Sequence, residues 1–198
     1  MDLTLVYLLS FGLFLLLTGY FLPRLGRHIT RPISWVIMIG TVVFSVFITL
    51  EQTALYRMIA IVSLQLLSMK VIVATETYAG KNKLSFLQWC AFSLGWFGMR
   101  PALFEHLPSK VLPFINLLLK GCLRIVVGIV LINLSAIVDK QFHNNYFLSE
   151  LLLLVGLSFI LHFGILNLSA AVWRALGVDV RELFRSPYRS KSLKEILG

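Results

Sequence analysis

The chain has 198 residues, of which 58% are apolar and only 14% charged, with a net charge of +9 and a mean hydropathy of +0.86. Soluble domains carry about a quarter charged residues, so this balance excludes a soluble globular domain, a disordered chain and a soluble repeat scaffold. Cys90 and Cys122 form no CxxC pair, which leaves no disulfide framework and no zinc or other metal site to infer; both are expected as small buried hydrophobes.

A bilayer-spanning helix needs roughly 20 apolar residues. Five runs meet or approach that length: 3–22, 33–50, 58–78, 111–138 and 147–173. The first lacks a basic leader and a small-residue cleavage site, so it reads as a retained span. Pro23 and Gly26 close it, Arg24, Arg27, His28 and Arg31 make a basic loop, and Pro32 is placed at the opening of the second span. Between the third and fourth runs, residues 84–98 are too short to cross. Trp89, Phe92, Trp96 and Phe97 in this stretch suit headgroup level, which predicts an interfacial or re-entrant helix ending in a Gly-Met-Arg-Pro turn. The expected architecture is an all-α polytopic membrane bundle forming a single membrane domain over 1–198, with a basic tail at 174–198.

Charge orders the topology. With the Arg24–Arg31 loop in the cytosol, thirteen Lys and Arg fall in cytosolic segments and two, Arg57 and Lys140, fall outside. The positive-inside rule then puts the amino terminus outside and the tail in the cytosol. The same distribution explains the basic balance through topology and membrane lipid, with no nucleic-acid partner.

Charged groups within hydrocarbon cost about 2.5–3.5 kcal/mol each on an insertion scale, so those inside spans are informative. Lys120 and Arg124, four residues apart, either snorkel to the interface or line a cytosolic cavity for an anionic group such as a phosphate. Lys70 either snorkels or pairs with a neighbouring helix. His162, with Asn167, Ser158 and Ser169 nearby, either hydrogen-bonds a neighbouring helix or lines a tunnel in an acid–base role. No glycine-rich phosphate loop, HExxH, GxSxG or carboxylate pair on one helix face is present. The residues alone therefore leave the catalytic group unknown, and they leave a small transporter as a further reading. Against transport, no paired Gly/Pro-interrupted spans suggest an inverted repeat.

Two stretches carry more than composition. One reads FSLGWFGMRPALF over 92–104; the other reads LHFGILNLSAAVWRALGVDVRELFRSPYRSKSLKEILG from Leu161. Together they resemble the wax synthase branch of the membrane-bound O-acyltransferases. That branch shows a W-P-G-M turn and a later F-x-x-P-x-x-x-x-S-L-x-E-F-W-G-R-R-W run. Trp96, Gly98 and Met99 match the first, with Phe97 where proline is usual; Phe184, Pro187, Ser192, Leu193 and Glu195 match the second. The resemblance covers most of the chain beyond about residue 57. After Glu195 the chain reads Ile196-Leu197-Gly198 instead of the aromatic-arginine run.

The resemblance implies transfer of a fatty acyl group from acyl-CoA, a co-substrate and not a bound cofactor, to a long-chain alcohol hydroxyl. It further implies the amino-terminal part of such an enzyme, with the family's catalytic histidine in later helices. His162 precedes the second motif and is not equated with that histidine. Arg100, Arg185 and Arg189, with Lys120 and Arg124, are the candidate contacts for the anionic head of the thioester, although basic flanks commonly serve topology or lipid contact alone. The alternatives are a non-catalytic membrane subunit, paired with a separately encoded carboxy-terminal half, and a remnant.

Overall fold

A computed structural model of the chain describes residues 3–78, 80, 83–141 and 146–183. Among them there are helices and no strands. Five helical stretches are long and apolar enough to cross a bilayer: Leu3–Arg24, His28–Ile48, Ala54–Tyr78, Ile115–Gln141 and Tyr146–Ala175. In three of them only 17% of the most apolar window is buried. So much exposed apolar surface suits lipid and not water. The chain is a polytopic all-α membrane protein. Its contacts divide it into two compact units, Met1–Glu105 and His106–Gly198.

The first unit contains α1 (Leu3–Phe21), α2 (Arg27–Ile48), α3 (Ala54–Tyr78) and the short α4 (Phe86–Gly95). Helix α2 begins six residues before the expected 33 and ends at Ile48. Gly26 is the extended N-cap, and its carbonyl accepts from the amides of both Ile29 and Thr30. Pro32 therefore lies inside the helix. So near the end it forfeits only one ladder bond, that to the His28 carbonyl. The basic loop expected at 24–31 is largely the first turn of this helix. Helix α3 likewise starts at Ala54 instead of 58.

Helix α2 is built inside out. Its buried positions are Thr30, Ser34, Thr41, Ser45 and Thr49, while Trp35, Val36, Ile39 and Phe47 are exposed. In lipid the apolar face has no reason to hide, and small hydroxyl residues let backbones approach. Most of these hydroxyls return a bond to their own helix, as Thr41 does to Ile37 O (2.7 Å) and Thr49 to Ser45 O (2.6 Å). Thr75 of α3 donates across to Ser34 Oγ at 3.3 Å. At one end, Arg31 Nε of α2 pairs with Glu76 Oε1 of α3 at 2.5 Å.

Helix α4 opens on a capping box: Ser85 Oγ accepts from the Gln88 amide while Gln88 Oε1 accepts from the Ser85 amide. It covers 86–95 of the expected 84–98. Most of its aromatics turn inward. Trp89, Phe92 and Trp96 are buried in the unit, and only Phe97 is exposed. The cause is specific for Trp89, whose Nε1 donates to Leu16 O at 2.8 Å. Its ring covers Gly19, where a Cβ would collide with it.

The second unit contains α5 (Ile115–Gln141), α6 (Tyr146–Ser158), a π-helical segment at Phe159–Ile165 and α7 (Leu166–Ala175). The expected fourth span began at 111; Pro113 keeps 111–114 out of the helix, and α5 starts two residues later. The fifth span is one helical rod from Tyr146 to Ala175, interrupted in winding by the π segment that carries His162. Glycines set the contact with α5. A Cβ on Gly128 would stand 2.7 Å from Gly156 O, and one on Gly156 would stand 2.9 Å from Gly128 O. Cys122 of α5 is exposed, contrary to the expectation of burial, while Cys90 is half-buried.

Helix α7 ends in a Schellman motif. The Gly177 amide donates to Arg174 O and the Val178 amide to Trp173 O, with Gly177 at φ +90°. The chain reverses there, so the expected tail from 174 begins as packed structure: Val178 and Val180 are fully buried. Arg174 fastens the reversal, with Nε to Pro113 O (2.8 Å) and Nη1 to Val180 O (3.0 Å) and Asp179 Oδ1 (2.6 Å).

Candidate functional site

In the first unit the residues of the first motif are organised by a lysine. Lys70, about two thirds of the way along α3, is fully buried. Its Nζ donates to Phe92 O (2.7 Å), Trp96 O and Gly98 O (3.3 Å), and lies 4.0 Å from the Phe92 ring centroid. An ammonium has three donors, and all three are used on carbonyls at and beyond the end of α4. The last carbonyls of a helix have no intrahelical partner and carry the negative end of its dipole. Of the two expectations for Lys70 the structure shows the pairing with a neighbouring helix and not snorkelling: it caps α4 from α3 and ties down the Trp96–Met99 turn. Within that turn the Trp96 indole folds over Gly98, where any Cβ would strike it.

Phe97 of the same turn, with Ser93 and Leu94 of α4, forms one wall of an apolar groove of about 680 Å³. Helices α1 and α3 form the other walls, from Leu5 to Leu16 and from Tyr56 to Leu67. Eleven helical steps at about 1.5 Å each make the groove about 16 Å long. One leaflet of a hydrocarbon core about 30 Å thick is close to that length. Tyr56, Ser63 and Ser93 contribute its hydroxyls. The Tyr56 oxygen is buried with no hydrogen-bond partner among the described residues.

Tyr78, Glu105, Gln88 and Lys83 close the far side of this unit. Tyr78 Oη donates to Glu105 Oε1 (3.0 Å), Gln88 Nε2 donates to Glu105 O (3.1 Å), and Lys83 stands 3.9 Å from Glu105 Oε2.

In the second unit Lys120 and Arg124 meet an acid that the sequence did not single out. Glu182, in the reversed segment after α7, pairs with Lys120 (Nζ–Oε1 2.8 Å) and with Arg124 (Nη1–Oε2 3.7 Å). The Arg124 guanidinium also lies 5.5 Å from the Phe163 ring centroid. His162 is exposed on the π segment and is not among the residues lining the groove of the first unit. Arg100 is exposed beside the first-motif turn. Phe184, Arg185, Pro187, Arg189, Ser192, Leu193 and Glu195 lie outside the described residues, so the second motif and two of the five candidate head-group contacts have no geometry here. Among the described residues no group of three His, Cys, Asp or Glu could hold a metal ion.

The fold and this site define a multi-pass helical membrane protein with a leaflet-length groove beside a lysine-pinned turn. No family model, curated protein or solved structure matches the chain.

Proposed function

We propose that the chain is a wax-synthase-like membrane acyltransferase component that holds a long-chain lipid substrate in the groove between α1, α3 and α4. The observation that supports this reading is the adjacency of motif and groove: the Trp96–Met99 turn, which resembles the family's W-P-G-M turn at Trp96, Gly98 and Met99, supplies a groove wall through Phe97, the position where the family has proline. In the proposed reaction the alcohol oxygen attacks the thioester carbonyl of an acyl-CoA. The carbon–sulfur bond breaks, the hydroxyl proton ends on the CoA sulfur, and an ester is released. Such chemistry needs a base and a stabiliser for the oxyanion. The resemblance assigns the base to helices beyond the second motif, so the chain is proposed as the amino-terminal part of the enzyme. The amino terminus is proposed to lie outside and the basic tail in the cytosol, where it meets the polyanionic head of the thioester.

A photoreactive long-chain alcohol added to membranes containing the chain tests the reading. Label is expected on α1, α3 and α4 peptides, displaced by unlabelled alcohol and lost in Gly12→Phe. Gly12→Ala is the control, since a Cβ there meets only Leu64 Cδ2, at 3.7 Å. Label spread evenly over all spans, with no displacement, would sink the proposal. An esterification assay with labelled acyl-CoA is expected to give no product from this chain alone. Ester above empty membranes would move the base into residues 1–198.

A second reading, a non-catalytic lipid-holding subunit, is favoured by the groove's own chemistry. Among the described residues hydroxyls line it, and no histidine or acid does. Displaceable label without ester under every pairing with a carboxy-terminal half would select that reading.

A further inference from the structure

The Lys120–Arg124–Glu182 cluster in the second unit is incompletely matched. Glu182 gives Lys120 a hydrogen-bonded contact at 2.8 Å, but its other oxygen stops 3.7 Å from Arg124 Nη1. That nitrogen is buried and has no hydrogen-bond partner among the described residues. A second buried donor, Asn167 Nδ2, is in the same condition, and Asn167 is only 2% exposed. The two donors lie about one turn apart along the helix pair, Asn167 at the level of Lys120 and Gly121. Gly121 of α5 abuts Leu168, next to Asn167, and Arg124 faces Phe163, one turn before Asn167. Unpaired buried donors are costly, about 1–3 kcal/mol each and more when charged. Two on facing helices, beside a half-exposed lysine, describe a place short of acceptor oxygens.

The geometry points to a phosphate-ester binding site formed by Lys120, Arg124 and Asn167, which the chain's own Glu182 carboxylate occupies when no ligand is bound. A carboxylate offers two oxygens in one plane and hydrogen-bonds only Lys120. A phosphate offers three outward oxygens, so it can serve the ammonium and the guanidinium together with the amide. The depth agrees. Helix α5 has 27 residues, about 40 Å at about 1.5 Å each, against a hydrocarbon core of about 30 Å. Lys120, six residues into it, therefore stands at the boundary where phosphates of amphiphiles lie. A membrane phospholipid and a soluble phosphate ester present the same group. The inference shares Lys120 and Arg124 with the thioester head-group contacts of the acyltransfer reading, but it requires no reaction and no occupied groove, so either can fail without the other.

The test uses the full chain in phosphatidylcholine nanodiscs. In one arm phosphatidic acid is incorporated and in the other coenzyme A is added from solution; 31P line broadening and lipid retention in native mass spectrometry are the readouts. Binding in either arm is expected above the phosphatidylcholine background and identifies the source. Glu182→Gln removes the competing charge at constant size, and is expected to tighten binding about tenfold, while Arg124→Gln weakens it about tenfold. The inference is overturned by no binding in both arms, or by binding that Glu182→Gln leaves unchanged. Because Glu182→Gln is expected to gain affinity, a misfolded variant cannot imitate the supporting result.

Discussion

The α2–α3 pair and the contact of α5 with α6 and α7 meet the same demand in lipid by opposite means. In the first, buried polar atoms fill the contact: Thr41, Ser45 and Thr49 along α2, and Lys70 reaching from α3 into the end of α4. In the second, atoms are missing: Gly121, Gly128, Gly156 and Gly164 bring backbones together until no Cβ fits. Lipid tails give no hydrophobic drive to press helices together, so close approach and hydrogen bonding must hold them. The first unit should therefore suffer when polar atoms are removed, and the second when atoms are added.

The largest effect is expected at Lys70. Lys70→Met strips three carbonyls of their donor, and at about 2 kcal/mol for each charge-assisted bond the loss reaches about 6 kcal/mol. The check is the SDS-unfolding midpoint, together with new proteolysis between 96 and 104. Next comes Gly128→Val, where overpacking against the Gly156 carbonyl costs about 3 kcal/mol; wild-type stability in that variant would break the comparison. Trp89→Phe keeps the ring packing but loses the bond to Leu16 O, an expected cost of about 1 kcal/mol with a matching fall in unfolding midpoint. Thr41→Val should cost only about 0.6 kcal/mol, because the hydroxyl serves its own helix. Smallest is Gly40→Ala. A Cβ there meets nothing within 4 Å, and the midpoint should stay within about 0.5 kcal/mol of wild type. A large loss at Gly40 would mean that α2 hides a contact face of its own.

Much of the framework was legible because length and apolarity are summed properties. Five spans and a short sixth helix follow from runs of residues, and small errors at the ends leave them standing. The ends were misplaced where one local feature outweighed the run: Gly26 as an extended cap ahead of Pro32, and Pro113 inside an apolar stretch. The site was less legible, because it depends on pairings across distant sequence. Lys70 could be marked as costly, but that its partners were main-chain carbonyls 22 to 28 residues on has no side-chain signature. Glu182 is one of nine acids in the chain, and its spacing does not mark it. Gly177 was a legible signal passed over: a glycine just after an apolar helical run, with hydrophobic residues following, is the usual mark of a helix C-terminus. Trp89 is ambiguous in sequence because a tryptophan serves equally at an interface and in a core; its partner, the Leu16 carbonyl, leaves no mark in the sequence.

The π segment at Phe159–Ile165 has a consequence for how the rod from Tyr146 to Ala175 could have arisen and could be edited. From Gly121 to Gly128 the α5 side advances seven positions, while its counterpart from Gly156 to Gly164 advances eight over the same contact. A wider winding absorbs the surplus, as expected when one amino acid has been inserted into a helix that must keep its seam aligned. Deleting one residue between 159 and 163 should restore ordinary winding with both glycines still on the seam. The same deletion placed in 150–155 should rotate Ser149 off its partner Ser135 and unzip the pair.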